Sequence, residues 1–157
     1  VFNQGQIEQV GTPSEIYEQP ASQFVAGFVG TSNLLHGNAA VQVLGEHGVW
    51  SIRPEKIRIV PDGAERGPDG GRRAALDAGE VAATGVVREA VYTGAASRIV
   101  VTLDAGGELV VVRPNVTTSA REATELRGQR ITLVWRRDHV YRVADADADQ
   151  GGSDAPY

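Results

Sequence analysis

The chain has 157 residues and a mass of 16.6 kDa, with 41% hydrophobic and 22% charged residues, which suits one domain with a single core and a short additional segment. Its net charge of -5 and isoelectric point near 5.2 argue against a nucleic-acid partner. The sequence contains no cysteine, which excludes disulfides and Cys-bound metals. No apolar run approaches the roughly 20 residues that span a bilayer, so we expect no direct membrane insertion.

The chain opens on a strand-like hairpin at 1–10, which turns at Gly5. A capping box follows, in which Thr12 is the N-cap, Pro13 the first helical residue and Glu15 the third. These residues predict a short helix from Thr12 to about Gln19. Because no initiator methionine or polar leader precedes the hairpin, we expect the chain to be part of a longer protein.

Pro20 ends the first helix and opens a second, which is predicted to end at Gly30. The spacing of its large apolar residues places Phe24, Val25, Phe28 and Val29 on one face. That face needs a surface to pack on, so it is a candidate interface with the rest of the protein or with a second copy.

From Ser32 onwards the sequence is typical of short strands separated by turns, which favours a small barrel or sandwich. The predicted strand runs are 33–44, 48–60, 81–92, 97–103, 108–113, 130–135 and 139–143. Three turns, at 45–48, 104–107 and 136–138, are predicted to close antiparallel hairpins.

Two segments contain almost no large apolar residue. The first, 61–79, is rich in Gly, Ala, Arg and Asp and is predicted to be a mobile surface loop. The second, 144–157, is acidic and of low complexity, and it is predicted to be a disordered tail.

Specific runs resemble one family. The run FNQGQIEQVGTPSEIY at 2–17, followed by FVAGFVG at 24–30, resembles the end of the nucleotide-binding domain of an ABC importer. The run SIRPEKI at 51–57 resembles the Arg-Pro-Glu segment of the transport-associated OB (TOBE) domain in the same subunits. Residues 87–103, with Tyr92-Thr93-Gly94, resemble the second half of that domain.

The resemblance implies a mainly β fold, an OB-like small barrel built from two halves and preceded by a hairpin and two short helices. Residues 1–30 would end the nucleotide-binding domain and 31–143 would form the TOBE domain. The nearest subfamily is the spermidine/putrescine, ferric-iron or phosphonate type. The implied role is a C-terminal regulatory and dimerisation segment of the ATP-binding subunit, which couples ATP hydrolysis to solute import.

The same resemblance implies partners and a location. The partners are a second copy of the subunit, the permease subunits and, indirectly, a solute-binding protein. The location is the cytoplasmic face of the cell membrane, reached through the transporter complex.

The chain itself is expected to be catalytically inactive and to bind no cofactor or metal. It contains no G-x-x-x-x-G-K-[ST] loop, and its only lysine, Lys56, follows Glu55 rather than a Gly-rich run. The Ser-Gly-Gly-Gln signature, the Walker B strand and the switch histidine of the family are also absent, and we expect them before Val1. ATP and Mg are implied for the full-length parent.

Few residues are candidates for a regulatory or interface site. Arg53 and Glu55 are predicted either to form a buried ion pair or ligand site, or simply to flank a turn around Pro54. Tyr92, Arg98 and Trp135 are candidates for a ligand pocket at the barrel mouth, although the alternation of Trp135 with Ile131 and Leu133 favours a core position. His36, His47 and His139 are too scattered to predict a metal site.

Two other classes of function stay open at this point. A free-standing OB module could bind a ligand or single-stranded nucleic acid, but that needs a basic groove and exposed aromatic residues. A hydrolase would need a nucleophile loop such as G-x-S-x-G, and the sequence contains none.

Overall fold

The computed structural model describes residues 1–61, 76–115 and 120–144. Most of the predicted loop at 61–79 and nearly all of the predicted tail at 144–157 lie outside the described residues. The N-terminal segment has a two-stranded hairpin, β1 (Phe2–Asn3) and β2 (Gln6–Ile7), followed by helices α1 (Pro13–Glu18) and α2 (Gln23–Phe28). Both the hairpin and the helices were predicted from the sequence.

Helix α1 begins with the predicted capping box. The Thr12 hydroxyl accepts a hydrogen bond from the Glu15 backbone N–H at 3.3 Å, and the Glu15 carboxylate accepts one from the Thr12 backbone N–H at 2.8 Å. The bond from the Thr12 N–H and a second from the Thr12 hydroxyl, at 2.9 Å, lower the pKa of Glu15, because a carboxylate that accepts hydrogen bonds is stabilised in its charged form. Helix α2 is capped by Ser22 rather than by Pro20, so it begins later than predicted.

A three-stranded antiparallel sheet has the order β10-β4-β3. Its strands are β3 (Asn33–Leu35), β4 (Val49–Ile52) and β10 (Val140–Val143). Helix α3 (Gly37–Leu44) connects β3 to β4, and a 3-10 turn, Pro54–Lys56, follows β4. All four residues of β4 are buried, so this strand is the centre of the sheet in its packing as well as in its order.

A five-stranded antiparallel sheet has the order β5-β9-β6-β7-β8. Its strands are β5 (Arg58–Pro61), β6 (Glu80–Tyr92), β7 (Ala96–Leu103), β8 (Glu108–Pro114) and β9 (Arg130–Arg136). The edge strands β5 and β8 approach within 8 Å between Cα atoms without pairing, so the sheet curls into an OB-like barrel. Helix α4 (Ala120–Glu125) packs on β6, and the fold class is mainly β, as expected.

One apolar cluster fills the barrel and extends beneath α3. Its largest fully buried members include Trp135, Ile131 and Leu133 from β9, which confirms the core position predicted for Trp135. Trp50 and Ile52 of β4 belong to the same cluster, as their alternation predicted. Because inward residues alternate along each strand, the pattern that predicted the strands also predicted much of the core.

Four predictions about this region are wrong. The run 48–60 is not one strand, because the 3-10 turn Pro54–Lys56 separates β4 from β5 and these two strands belong to different sheets. The run 33–44 is not one strand, because only Asn33–Leu35 is extended and Gly37–Leu44 is helix α3. The turn at 45–48 therefore joins a helix to a strand, with Gly45 in the left-handed conformation at φ 75°. The turn at 136–138 closes no hairpin, because β9 and β10 belong to different sheets, and a 3-10 turn, Arg137–His139, carries the chain between them.

The Asn33 side chain joins the two sheets. Its Nδ2 donates to the Val110 carbonyl at 2.7 Å, and its Oδ1 accepts from the Val110 N–H at 2.7 Å. Val110 lies in the edge strand β8, whose outward backbone groups would otherwise have no strand partner. The side-chain amide, 4% exposed, thus occupies the place of a neighbouring strand.

We expect Asn33→Ala to lower the free energy of unfolding by about 1 to 3 kcal/mol, because it leaves a donor and an acceptor of the partly buried Val110 without their partners. Urea denaturation followed by circular dichroism measures the change. Asn38→Ala removes an exposed asparagine of helix α3 and is the matched control. Equal midpoints for the two variants would contradict this role.

Candidate functional site

Arg53 lies between β4 and the 3-10 turn Pro54–Lys56, and only 3% of it is exposed. Its guanidinium donates to backbone carbonyls of the N-terminal segment rather than to a carboxylate. Nε bonds the Tyr17 carbonyl at 2.7 Å and Nη2 bonds the same oxygen. Nη1 lies within 3.3–3.4 Å of the carbonyls of Ala26, Gly30 and Thr31.

These acceptors explain why an arginine is buried here. Tyr17 lies in the last turn of α1 and Ala26 in the last turn of α2, where carbonyls lack partners within the helix and carry partial negative charge. One planar guanidinium reaches both helix ends, because its donors point in several directions. Burial lowers the pKa of Arg53 from its usual value, while Tyr17 and Glu55 oppose the shift.

Tyr17 and Glu55 complete the junction. The Arg53 guanidinium lies 4.0 Å from the centre of the Tyr17 ring, a cation–π contact. The Tyr17 hydroxyl donates to the Glu55 carboxylate at 2.9 Å. Burial raises the pKa of Tyr17, and the bond to Glu55 raises it further. We call Arg53, Tyr17 and Glu55 the clasp, because they join the N-terminal helices to the connection between β4 and β5.

Arg53 and Glu55 do lie at a turn around Pro54, as one form of the sequence prediction had it, but the ion pair of the other form is not observed. Among the described residues, Arg53 and Glu55 form no ion pair with each other, and each contacts the N-terminal segment instead. The sequence interpretation missed Tyr17, which lies 36 positions before Arg53. Further contacts reinforce the junction, since the Ala144 N–H donates to the Ala21 carbonyl at 3.0 Å and Ser22 forms a parallel bridge with Ala144.

The second feature is a set of exposed apolar side chains on the N-terminal segment. The rings of Phe24 and Phe28 stack with centroids 5.8 Å apart and are 39% and 65% exposed. Helix α2 instead buries Val25 and Ala26. The four residues predicted to share one face, Phe24, Val25, Phe28 and Val29, thus differ in exposure, because Val25 is buried and Val29 half-buried while the two rings reach solvent.

The hairpin region adds to this exposed set. Phe2 is 72%, Ile7 61% and Val10 83% exposed. Together with Phe24 and Phe28 they make up five of the nine exposed large hydrophobic residues that the described ranges contain. We call these five residues the N-terminal apolar set, and its concentration in 28 residues indicates an unfilled contact surface.

The candidate pocket of Tyr92, Arg98 and Trp135 does not form. Tyr92 is 41% exposed at the end of β6, and Arg98 is exposed on β7 opposite Val91. Trp135 is 1% exposed and pairs with Val81, at the opposite end of the 13-residue strand β6. The three side chains therefore share no pocket.

The structure shows one cleft that the sequence interpretation missed. It has a volume of about 360 Å³ and lies between the end of α1 and the two 3-10 turns. Its lining residues are Glu18, Arg53, Lys56, Asp138, His139 and Tyr141. The sequence predicted a hairpin turn at 136–138, so no sequence signal connected Asp138 and His139 to Lys56.

Within the described ranges, no helix is both long enough and apolar enough to cross a membrane. The same residues include no group of three or more His, Asp or Glu side chains placed to hold a metal ion.

A family model for the TOBE domain matches residues 50–143. Among curated relatives, the chain is 38% identical over 138 residues to the uncharacterized ABC transporter ATP-binding protein YdcT of Escherichia coli K12, covering 88% of this chain and 36% of that protein. It is 39% identical to the spermidine/putrescine import ATP-binding protein PotA of Acidothermus cellulolyticus, covering 94% of this chain and 41% of that protein.

A further PotA, from Thermobifida fusca, is 35% identical and covers 90% of this chain and 39% of its own length. Among solved structures, the cytoplasmic molybdate-binding protein ModG aligns with 16% identity and a TM-score of 0.40, over 64% of this chain and 66% of that one. The chain spans about two fifths of the length of the curated relatives. The resemblance found in the sequence is thus confirmed, and the chain belongs to the TOBE domain family found in ABC transporter ATP-binding proteins.

Proposed function

We propose that this chain is the C-terminal regulatory region of the ATP-binding subunit of an ABC importer, and that the imported solutes are polyamines. The relatives support this proposal, because those with an assigned solute are named for spermidine and putrescine import. The observation that carries the regulatory role is the clasp. Arg53, which lies in the connection between β4 and β5, bonds carbonyls at the ends of both N-terminal helices, so it links these helices to the place where the two sheets meet.

In this proposal the N-terminal helices are the edge of the ATPase domain, and the remainder of that domain covers the N-terminal apolar set. ATP and Mg bind in that remainder, since the chain has no P-loop. The subunit works at the cytoplasmic face of the membrane with permease subunits, a solute-binding protein and a second copy of itself. Through the clasp, displacements of the ATPase domain reach the barrel, and restraints on the barrel reach the ATPase domain.

Uptake by the full-length subunit tests the proposal. Cells that depend on this subunit are given labelled spermidine and putrescine, with ferric iron and phosphonate as the other solutes. We expect uptake of the polyamines, and stimulation of ATP hydrolysis by polyamine-loaded binding protein in the reconstituted complex. Uptake of a different solute would contradict the polyamine assignment. Hydrolysis that never depends on the permease would contradict the importer role.

Whether the remainder of the ATPase domain packs on the N-terminal apolar set can be tested separately. In the isolated chain, Phe24→Ser with Phe28→Ser should change the free energy of unfolding by less than about 1 kcal/mol, because both rings are already exposed. In the full-length subunit the same pair should cost about 2 to 4 kcal/mol, since two buried rings would be lost.

The matched control is Tyr92→Ser, which removes a comparably exposed ring outside the set. It should have a small effect in both proteins. Denaturant titrations of the four variant proteins give the comparison. If the double substitution has the same effect in the chain and in the subunit, the ATPase domain does not cover these rings.

The structure gives no support to a nucleic-acid-binding module. Such a module presents aromatic rings on the barrel surface for base stacking. Both tryptophans are buried, at 8% and 1% exposure, and Tyr92 is the single exposed aromatic residue that the described strands of the barrel carry, which makes no stacking platform.

A further inference from the structure

The cleft of about 360 Å³ lies where the N-terminal segment meets the two 3-10 turns and β10 of the three-stranded sheet. Glu18 comes from the last turn of α1, whereas Lys56 comes from the first 3-10 turn and His139 from the second. Tyr141 of β10 completes the wall. Its volume falls in the range of small-molecule sites, roughly 300 to 1,000 Å³.

Two opposite charges in the cleft are unpaired. Among the described residues, the side chains of Glu18 and Lys56 have no hydrogen-bond or ion-pair partner, and both residues are exposed. The Tyr141 hydroxyl is also without a partner in that part of the chain, although Tyr141 is partly buried. The cleft therefore offers one free ammonium, one free carboxylate and one free hydroxyl.

The other charged groups of the cleft are already satisfied. Arg136 donates to both oxygens of Asp138, from Nε at 3.0 Å and from Nη2 at 2.8 Å. This contact lowers the pKa of Asp138 and keeps it an ion paired with arginine. The Arg53 guanidinium is held by backbone carbonyls. Neither the Asp138 carboxylate nor the Arg53 guanidinium is therefore free to pair with a charged ligand.

His139 leaves a further group unsatisfied. Its Nδ1 is buried without a partner among the described residues, and its Nε2 is 3.9 Å from the Asp138 carboxylate, too far for a hydrogen bond. An unpaired buried nitrogen is uncommon in folded proteins. Rotation of the imidazole would offer this nitrogen to a polar group in the cleft.

We propose that the cleft binds a small molecule that carries both an anionic and a cationic group, of the size of an amino acid. A simple anion attracted by Lys56 would also lie near the Glu18 carboxylate, and a simple cation attracted by Glu18 would lie near the Lys56 ammonium. A ligand with both charges can pair with both residues. The free-energy cost of removing each side chain's charge from water is then offset by an opposite charge on the ligand.

Because of the position of the cleft, a bound ligand would affect the junction between the N-terminal segment and the rest of the chain. It would contact α1 on one side and the two 3-10 turns on the other, beside Arg53, and would reinforce the junction that the clasp holds. This goes beyond the proposed import role and does not depend on it, because the site lies within this chain.

Isothermal titration calorimetry on the chain tests the proposal with ω-amino acids from glycine to 5-aminopentanoate. In this series the distance between the charges increases by one methylene at a time. Butyrate and butylamine are the single-charge controls for 4-aminobutyrate. We expect at least one amino acid to bind about tenfold or more tightly than either control, which corresponds to about 1.4 kcal/mol.

Lys56→Gln and Glu18→Gln should each weaken that binding by about tenfold or more. Arg127→Gln, an exposed residue after α4, should leave it unchanged. The proposal is overturned if no amino acid binds, or if butyrate or butylamine binds as tightly. It is also overturned if binding survives both cleft substitutions, because the ligand would then occupy another place.

Discussion

Arg53→Met is expected to lower the free energy of unfolding by about 3 kcal/mol, because a buried charge-assisted network is lost. Methionine fills a similar volume but donates nothing, so the carbonyls of Tyr17 and Ala26 lose their partner while they remain buried. Denaturant unfolding gives the total change. Amide hydrogen exchange locates it, and we expect protection to fall most in α1 and α2.

Two variants separate the clasp from a general effect of removing arginine. Arg58→Met removes an arginine that is half exposed and paired with Glu80 at 2.8 Å, and it should change stability far less. Arg53→Lys keeps the charge but cannot reach two helix ends at once, so it should recover only part of the loss. A loss for Arg53→Met no larger than that for Arg58→Met would show that the clasp does not hold the junction.

The strands were the most predictable part of the fold. Residues 97–103 and 108–113 are short runs rich in valine that flank a turn with two glycines, and the structure confirms a β7–β8 hairpin there. The interactions that form a hairpin lie close in sequence, so a local pattern contains most of the information. Capping boxes are local too, which is why the start of α1 was predicted.

Helix α3 was predicted as strand because it contains Val41 and Val43, whose branched side chains favour strands. The structure shows a different signal in the same residues. Ala39, Ala40, Val43 and Leu44 recur with helical spacing and contact the core, and Gly45 ends the helix in the left-handed conformation. Packing against the core outweighs the intrinsic preference of two valines.

The candidate site was far less predictable than the fold. The sequence singled out Arg53, but its acceptors are backbone carbonyls, which every residue has, so no residue type marks them. The cleft brings Lys56 close to His139 because β10 pairs with β4. The sequence interpretation paired the strand after His139 with its neighbour in the chain instead, and a local turn pattern cannot distinguish these two pairings.

Gly85→Ala is expected to have the other large effect, a loss of about 3 kcal/mol or more. A Cβ atom at Gly85 would lie 2.3 Å from the Thr102 carbonyl oxygen and 2.8 Å from a Val101 methyl carbon. The nearer atom belongs to the backbone, so a side chain cannot turn aside to relieve the contact, and β6 and β7 would have to separate. Thermal or urea unfolding measures the loss.

Gly27→Ala is the matched control, because Gly27 lies in helix α2 and an added Cβ meets no atom within 4 Å. Alanine there should stabilise the chain by about 0.5 to 1 kcal/mol, since glycine is the poorer helix former. Gly85 pairs with Leu103 on one side and Ile131 on the other, so its neighbours in both strands depend on the close approach. If Gly85→Ala is as stable as Gly27→Ala, the strands are not packed as closely as this geometry requires. If Gly85→Ala is strongly destabilised, the curl of the five-stranded sheet depends on the absence of a side chain at this position.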